Sequence, residues 1–121
     1  MSAALSPRVV AIGGEVDHHS APGLRSSIFA AMRENSSDIV VDLSEATFID
    51  STALGVLLDA RRRLIPSGRL LSVVCADRNI LRLFELTALD RLFGIFPSLA
   101  EALAAVNGGP ARQAVVSGDR S

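Results

Sequence analysis

The rhythm of apolar and polar positions changes several times along the chain. RVVAIGGEVD, residues 8 to 17, is β-branched and apolar around Gly13-Gly14 and predicts a first strand. In the next segment, HHSAPGLRSSIFAAMRE, Leu24, Ile28, Ala31 and Met32 recur at spacings of three and four. That is the stripe of a helix packed on one side, with Ser20 as its N-cap and Pro22 in its first turn. NSSD at 35 to 38 interrupts the stripe, and IVVDLS from Ile39 follows as a short, nearly continuous apolar run, the pattern of a central strand covered on both faces. The loop EATFID is expected to bury Phe48 and Ile49. A second helix then runs from about Thr52 to Leu64, with Leu54, Leu57, Leu58 and Ile65 on one side and Pro66-Ser67-Gly68 as its stop.

RLLSVVCA, residues 69 to 76, is another buried strand, and Asp77 is placed to cap a helix striped by Ile80, Leu83 and Phe84. DRLFGIF at 90 to 96 predicts a last strand. PSLAEALAAVNGG then carries Ser98 with Glu101 three residues on, a capping-box pattern, and an apolar stripe of Leu99, Ala102, Leu103 and Val106. Strand and helix alternate four times, which parallel strands with crossover helices satisfy most economically. The fold class is α/β. One domain is expected over 1–109, with residues 110–121, which show no periodicity, as a mobile tail.

Composition narrows the function more than the fold. A chain of 121 residues, 49% apolar with mixed charge, suits one domain with one hydrophobic core. A formal net charge of −1 gives no reason to expect nucleic acid as a partner, and Arg61-Arg62-Arg63 reads as a solvated helix face. The single cysteine, Cys75, sits in an apolar run and reads as a small buried hydrophobe. No apolar run approaches the roughly 18 residues of a membrane span. MSAALSPRVV lacks the features of a signal peptide, so the expected location is the cytoplasm, away from membranes.

Enzyme chemistry finds little support. Neither phosphate-cradling glycine spacing, G-x-x-x-x-G-K-[ST] or G-x-G-x-x-G, is present. His18 and His19 are adjacent, and neighbours on a strand point to opposite faces, which disfavours a shared metal unless a turn intervenes. Ser51 is not in a G-x-S-x-G elbow, and both histidines precede it. No catalytic residue, metal ligand or cofactor is assigned.

The stretch TFIDSTALG leaves the question of what Ser51 does. As an N-cap it contributes about 1 kcal/mol against Ala, with Asp50 complementing the positive end of the helix dipole. As a modified residue it carries a phosphate of about −1.5 to −2 charges, which the free N–H groups of Thr52, Ala53 and Leu54 can receive and Asp50 repels. The residues alone leave both readings open.

Taken together, GEVDHHSAPGLR at 14 to 25, IVVDLSEATFIDSTALGVLL at 39 to 58, GRLLSVV at 68 to 74 and ILRLFELTALDRLFGIF at 80 to 96 resemble the STAS domain of bacterial anti-anti-sigma factors, especially the sporulation-type anti-sigma factor antagonists. The family's Asp-Ser-[Ser/Thr]-Gly-Leu-Gly core reads Asp50-Ser51-Thr52-Ala53-Leu54-Gly55 here, with Ala53 in place of the usual Gly. The resemblance implies a four- to five-stranded, mostly parallel sheet with about four helices. It also implies a protein with no catalysis of its own, which binds an anti-sigma factor with serine kinase activity and so frees a sigma factor. That partner phosphorylates Ser51 and ends the binding; a serine phosphatase reverses it. Asp50, Thr52 and Ala53 are the neighbours of the phosphosite. Partner contacts are expected from Asp17, His18, His19 and Ser20 before the first helix, and from an exposed flank of the second helix carrying Thr52, Val56 and Asp59. Ala53 keeps open an alternative, a STAS scaffold or signalling-complex subunit without phosphate; a small-molecule or nucleotide sensor ranks behind it.

Overall fold

In the computed structural model, residues 7–34 and 37–107 are described. The elements in chain order are β1 (Arg8–Ala11), β2 (Gly14–Val16), α1 (Ala21–Glu34), β3 (Ile39–Asp42), β4 (Ala46–Ile49), α2 (Ser51–Leu64), β5 (Leu71–Val74), α3 (Arg78–Leu86), β6 (Gly94–Phe96) and α4 (Leu99–Asn107). Short 3-10 turns follow α2 at Ile65–Ser67 and precede β6 at Leu89–Arg91. One sheet has the order β1-β3-β5-β6 and a two-stranded ribbon pairs β2 with β4; every pairing is parallel. The expected α/β fold with four helices and a mostly parallel sheet is the observed one.

β3 and β5 are central, and their side chains alternate between two cores. Ile39, Val41, Leu71 and Val73 join Leu24, Ile28, Leu54, Leu57 and Leu64 from α1 and α2. Val40 and Val74 point the other way and meet Ala102, Leu99, Leu103 and Val106 of α4. Helices on both faces explain why these strands read as unbroken apolar runs. Leu57 is fully buried at this seam, and Leu57→Ala would cost about 2–5 kcal/mol.

Several expectations need correction. The first strand is broken in two at Gly13-Gly14. Gly14 has a φ of +72°, and a Cβ on Gly13 would stand 3.1 Å from the Glu45 Cβ. This corner moves the chain from the main sheet to the ribbon, with Gly14 N–H donating to the Glu45 carbonyl at 3.0 Å. EATFID is not a loop: Ala46–Ile49 is the ribbon's second strand, a β-favouring Thr-Phe-Ile run too short to show periodicity. Ile49 is buried as expected, but Phe48 is 50% exposed, because it pairs with Glu15 on the ribbon's solvent face. Ile65 falls in the 3-10 turn past the end of α2 and is 49% exposed instead of continuing the stripe. The last strand is only three residues long, and the proposed tail at 110–121 lies outside the described residues.

Candidate functional site

The ribbon builds the site. β2 and β4 run in parallel with Val16 opposite Ile49, and Asp50 N–H extends the ladder to the Val16 carbonyl at 3.2 Å. The segments that follow, Asp17–Ser20 and Asp50–Thr52, therefore leave the same end of the same ribbon side by side. Each opens a helix, α1 and α2, and these two helices pack together.

At α2 the cap is Asp50, not Ser51. Asp50 has extended backbone (φ −114°, ψ −179°), its Oδ1 accepts from Ala53 N–H at 3.0 Å, and its carbonyl accepts the first helical bond from Leu54 at 3.1 Å. Ser51 is thus the first residue inside the helix. It is exposed, and its hydroxyl makes no hydrogen bond among the described residues. The backbone N–H groups of Ser51 and Thr52 are likewise without acceptors, as the first helical positions usually are. Ala53 is fully buried, so its methyl group packs into the core instead of facing an approaching partner.

At α1 the arrangement is inverted. Ser20 stands at the cap position, with its carbonyl accepting from Leu24 N–H at 3.1 Å. The sequence predicts a side-chain cap from Ser20, but the side chain turns back instead. Ser20 Oγ accepts from Asp17 N–H at 2.9 Å and donates to the Glu15 carbonyl at 3.0 Å. Asp17 Oδ1 in turn accepts from His19 N–H at 3.0 Å and Ser20 N–H at 3.2 Å. The Ser20 N–H bond, with help from His19, holds the Asp17 carboxyl below its ordinary range although partial burial opposes this. Because a turn does intervene here, the rings of His18 and His19 lie together, with centroids 4.1 Å apart, both exposed. No group of three or more His, Cys, Asp or Glu side chains able to hold a metal occurs among the described residues.

Two of the sequence-based contact residues do not join this cluster. Val56 is 6% exposed and belongs to the core. Its position, three residues after Ala53 and one before Leu57, puts it on the buried side of α2. Asp59 lies eight residues beyond Ser51, about 12 Å along the helix. It is held there by an ion pair with Arg25 of α1 and by Arg63 at 3.6 Å. The Arg25 hydrogen bond, then the Arg63 charge, keep its carboxyl below the ordinary range against partial burial. Arg25 and Arg63 also stand over the Phe29 ring at 4.8 and 4.9 Å, so Asp59 is part of a clamp between α1 and α2. The surface residue one turn on from Ser51 is Gly55, with open space above it, and Phe48 lies exposed three residues before Ser51. Sequence reasoning assigned neither to the contact surface; the signals for Gly55 were its place in the family motif and its i+4 spacing from Ser51.

A parallel ribbon thus sets a serine exposed at the first position of a helix beside a turn carrying Asp17, His18 and His19. The chain belongs to the STAS domain family, whose match spans residues 3–102. It is 33% identical over 101 residues to the anti-sigma-F factor antagonist RsfB of Mycobacterium tuberculosis, covering 84% of this chain and 82% of that one. An anti-sigma factor antagonist from Mycobacterium paratuberculosis superimposes with a TM-score of 0.74 at 33% identity, covering 81% of this chain and 83% of that one. The Bacillus cell fate determinant SpoIIAA in its phosphorylated form shares the fold, with a TM-score of 0.63 at 22% identity over 81% of this chain and 88% of that one.

Proposed function

We propose that this chain is an anti-sigma factor antagonist switched by phosphorylation of Ser51. In the unphosphorylated state it binds an anti-sigma factor that is itself a serine kinase, and so frees a sigma factor. The kinase transfers the γ-phosphoryl group of ATP to Ser51 Oγ; the Ser51 proton is lost and ADP leaves. A serine phosphatase restores the hydroxyl by hydrolysis. The protein performs no catalysis of its own and works in the cytoplasm; no helix among the described residues is long and apolar enough to cross a membrane.

The observation that carries this reading is that Asp50 takes the capping work, which leaves the Ser51 hydroxyl exposed and uncommitted. A phosphate there finds the N–H groups of Ser51 and Thr52 open, whereas that of Ala53 is already used by Asp50. Asp50, Asp17 and Glu15 already make this end acidic, so the added charge acts mainly on the partner by repulsion and desolvation. Asp17, His18, His19 and Ser20 are part of the proposed contact surface with Thr52, and Phe48 and Gly55 replace Val56 and Asp59 in it. Ala53, where the family has Gly, carries its methyl into the core, which supports an unhindered approach to Ser51.

The test is binding of purified Ser51→Ala and Ser51→Asp variants to the anti-sigma kinase. Ser51→Ala is expected to bind persistently in the presence of ATP, and Ser51→Asp weakly. Equal binding by both variants would sink the switch.

A further inference from the structure

A cleft lies far from Ser51, at the other end of α2, which 14 residues make about 20 Å long. It encloses about 480 Å³ around the starts of β5 and β6, in the range of small-molecule sites. Ser72 and Gly94, paired across β5 and β6, lie at its base; Phe96 and Val106 line the α4 side. Ile65, Leu70 and Leu92 surround it and are 49%, 37% and 41% exposed, so three large apolar side chains left in water converge on one opening.

Two polar features give this cleft a chemical preference. Arg61 and Arg91 both line it. Arg61 spends its Nε–H on the Leu92 carbonyl at 3.0 Å, which holds the guanidinium at the rim with its other N–H groups open, and the Arg91 side chain has no hydrogen bond or ion pair among the described residues. Ser72, only 5% exposed, has a hydroxyl that makes no hydrogen bond among the described residues. A buried hydroxyl without a partner costs free energy in an empty cleft and recovers it from a bound acceptor. Gly94 keeps that hydroxyl accessible: a Cβ there would meet the Phe96 ring at 3.2 Å and Ser72 Oγ at 3.6 Å.

We propose that this cleft binds an amphipathic carboxylic acid, its apolar body against Leu70, Leu92 and Phe96 and its carboxylate held by Arg61 and Arg91 and accepting from the Ser72 hydroxyl. Guanidinium groups match carboxylates in charge and geometry. Three arginines, Arg61, Arg69 and Arg91, line the cleft against one carboxylate, Asp90, so its net charge favours an anion over a cation, and an uncharged ligand would forgo the arginines. Cleft and phosphosite occupy opposite ends of the molecule, so the proposal stands whether or not Ser51 is modified.

Octanoate, titrated to a few millimolar into the full-length isotope-labelled chain, tests it by amide chemical shifts. The expected result is a saturable shift of amides around Ile65, Ser72, Leu92–Phe96 and Val106, at least tenfold weaker with octan-1-ol. Arg91→Ala, a surface change checked for an unaltered melting temperature, should weaken octanoate binding at least fivefold, and Ser72→Ala less. Equal binding of octan-1-ol, shifts scattered without saturation, or no shift at all would overturn the proposal.

Discussion

Two serines stand at the starts of two neighbouring helices, each preceded by an aspartate, and their chemistry is opposite. Ser20 is consumed by its own turn: its hydroxyl holds Asp17 N–H and the Glu15 carbonyl, while the Asp17 carboxylate fastens the same turn from the other side. Ser51 is left with nothing to hold, because Asp50, the residue directly before it, reaches the Ala53 N–H first. A hydroxyl is available for modification when a neighbour has already satisfied the helix. The difference follows from spacing: an Asp directly before a helix caps it, whereas an Asp three residues before Ser20 builds a turn that needs the serine.

The largest expected effect separates the two ends by charge. Ser51→Asp should weaken binding to the kinase at least 100-fold relative to Ser51→Ala, about 2.7 kcal/mol, with little change in the melting temperature of the chain itself. Next, Ser20→Ala removes two hydrogen bonds and should cost about 1–2 kcal/mol in urea unfolding. Asp50→Ala should cost about 1 kcal/mol by losing the cap, against less than about 0.5 kcal/mol for Ser51→Ala. A Ser51→Ala loss as large as that of Asp50→Ala would mean that the serine caps the helix and is not spare.

The smallest effect is a pH dependence. Asp17 and Asp59 have carboxyls held below the ordinary range in the folded chain. The unfolded chain therefore takes up protons first as pH falls, and the stability these groups contribute is present above about pH 4. It is lost as the pH drops through their lower folded values. Thermal melts between pH 6 and 3 should show this loss, and Asp17→Asn and Asp59→Asn should each flatten it. Both groups are partly exposed to solvent, so added salt should also shrink the slope.

Much of this was legible in the pattern of residues. β3 and β5 declared themselves because strands covered on both faces need apolar side chains at most positions, and α1, α2 and α3 because one-sided burial imposes a 3.6-residue stripe. The Asp77 cap was equally plain, since an Asp before an apolar stripe has one main use, and its Oδ1 does accept from Asn79 and Ile80. The ribbon was not legible: β2 and β4 are three and four residues long, too short for a period, and their pairing depends on a glycine corner visible only in three dimensions. That hidden ribbon places Asp17–Ser20 beside Ser51, so the site's residues could be named by motif but not located by periodicity. Phe48, Val56 and Ile65 were misplaced for related reasons. Apolar character indicated burial for Phe48 and Ile65, where a ribbon's open face and a 3-10 turn decided otherwise. Val56 shares the helical phase of the buried Ala53 and Leu57, which puts it on the core side of α2 and not on an exposed flank.

The most direct measurement is peptide mass mapping of the protein isolated from its own host under several growth conditions. A single phosphate on the peptide containing Ser51, present in some conditions and absent in others, is the expected result, with the Ser20 peptide never modified. Phosphate at Ser20, or none on the Ser51 peptide in any condition, would contradict the switch and leave the exposed hydroxyl without the role proposed for it.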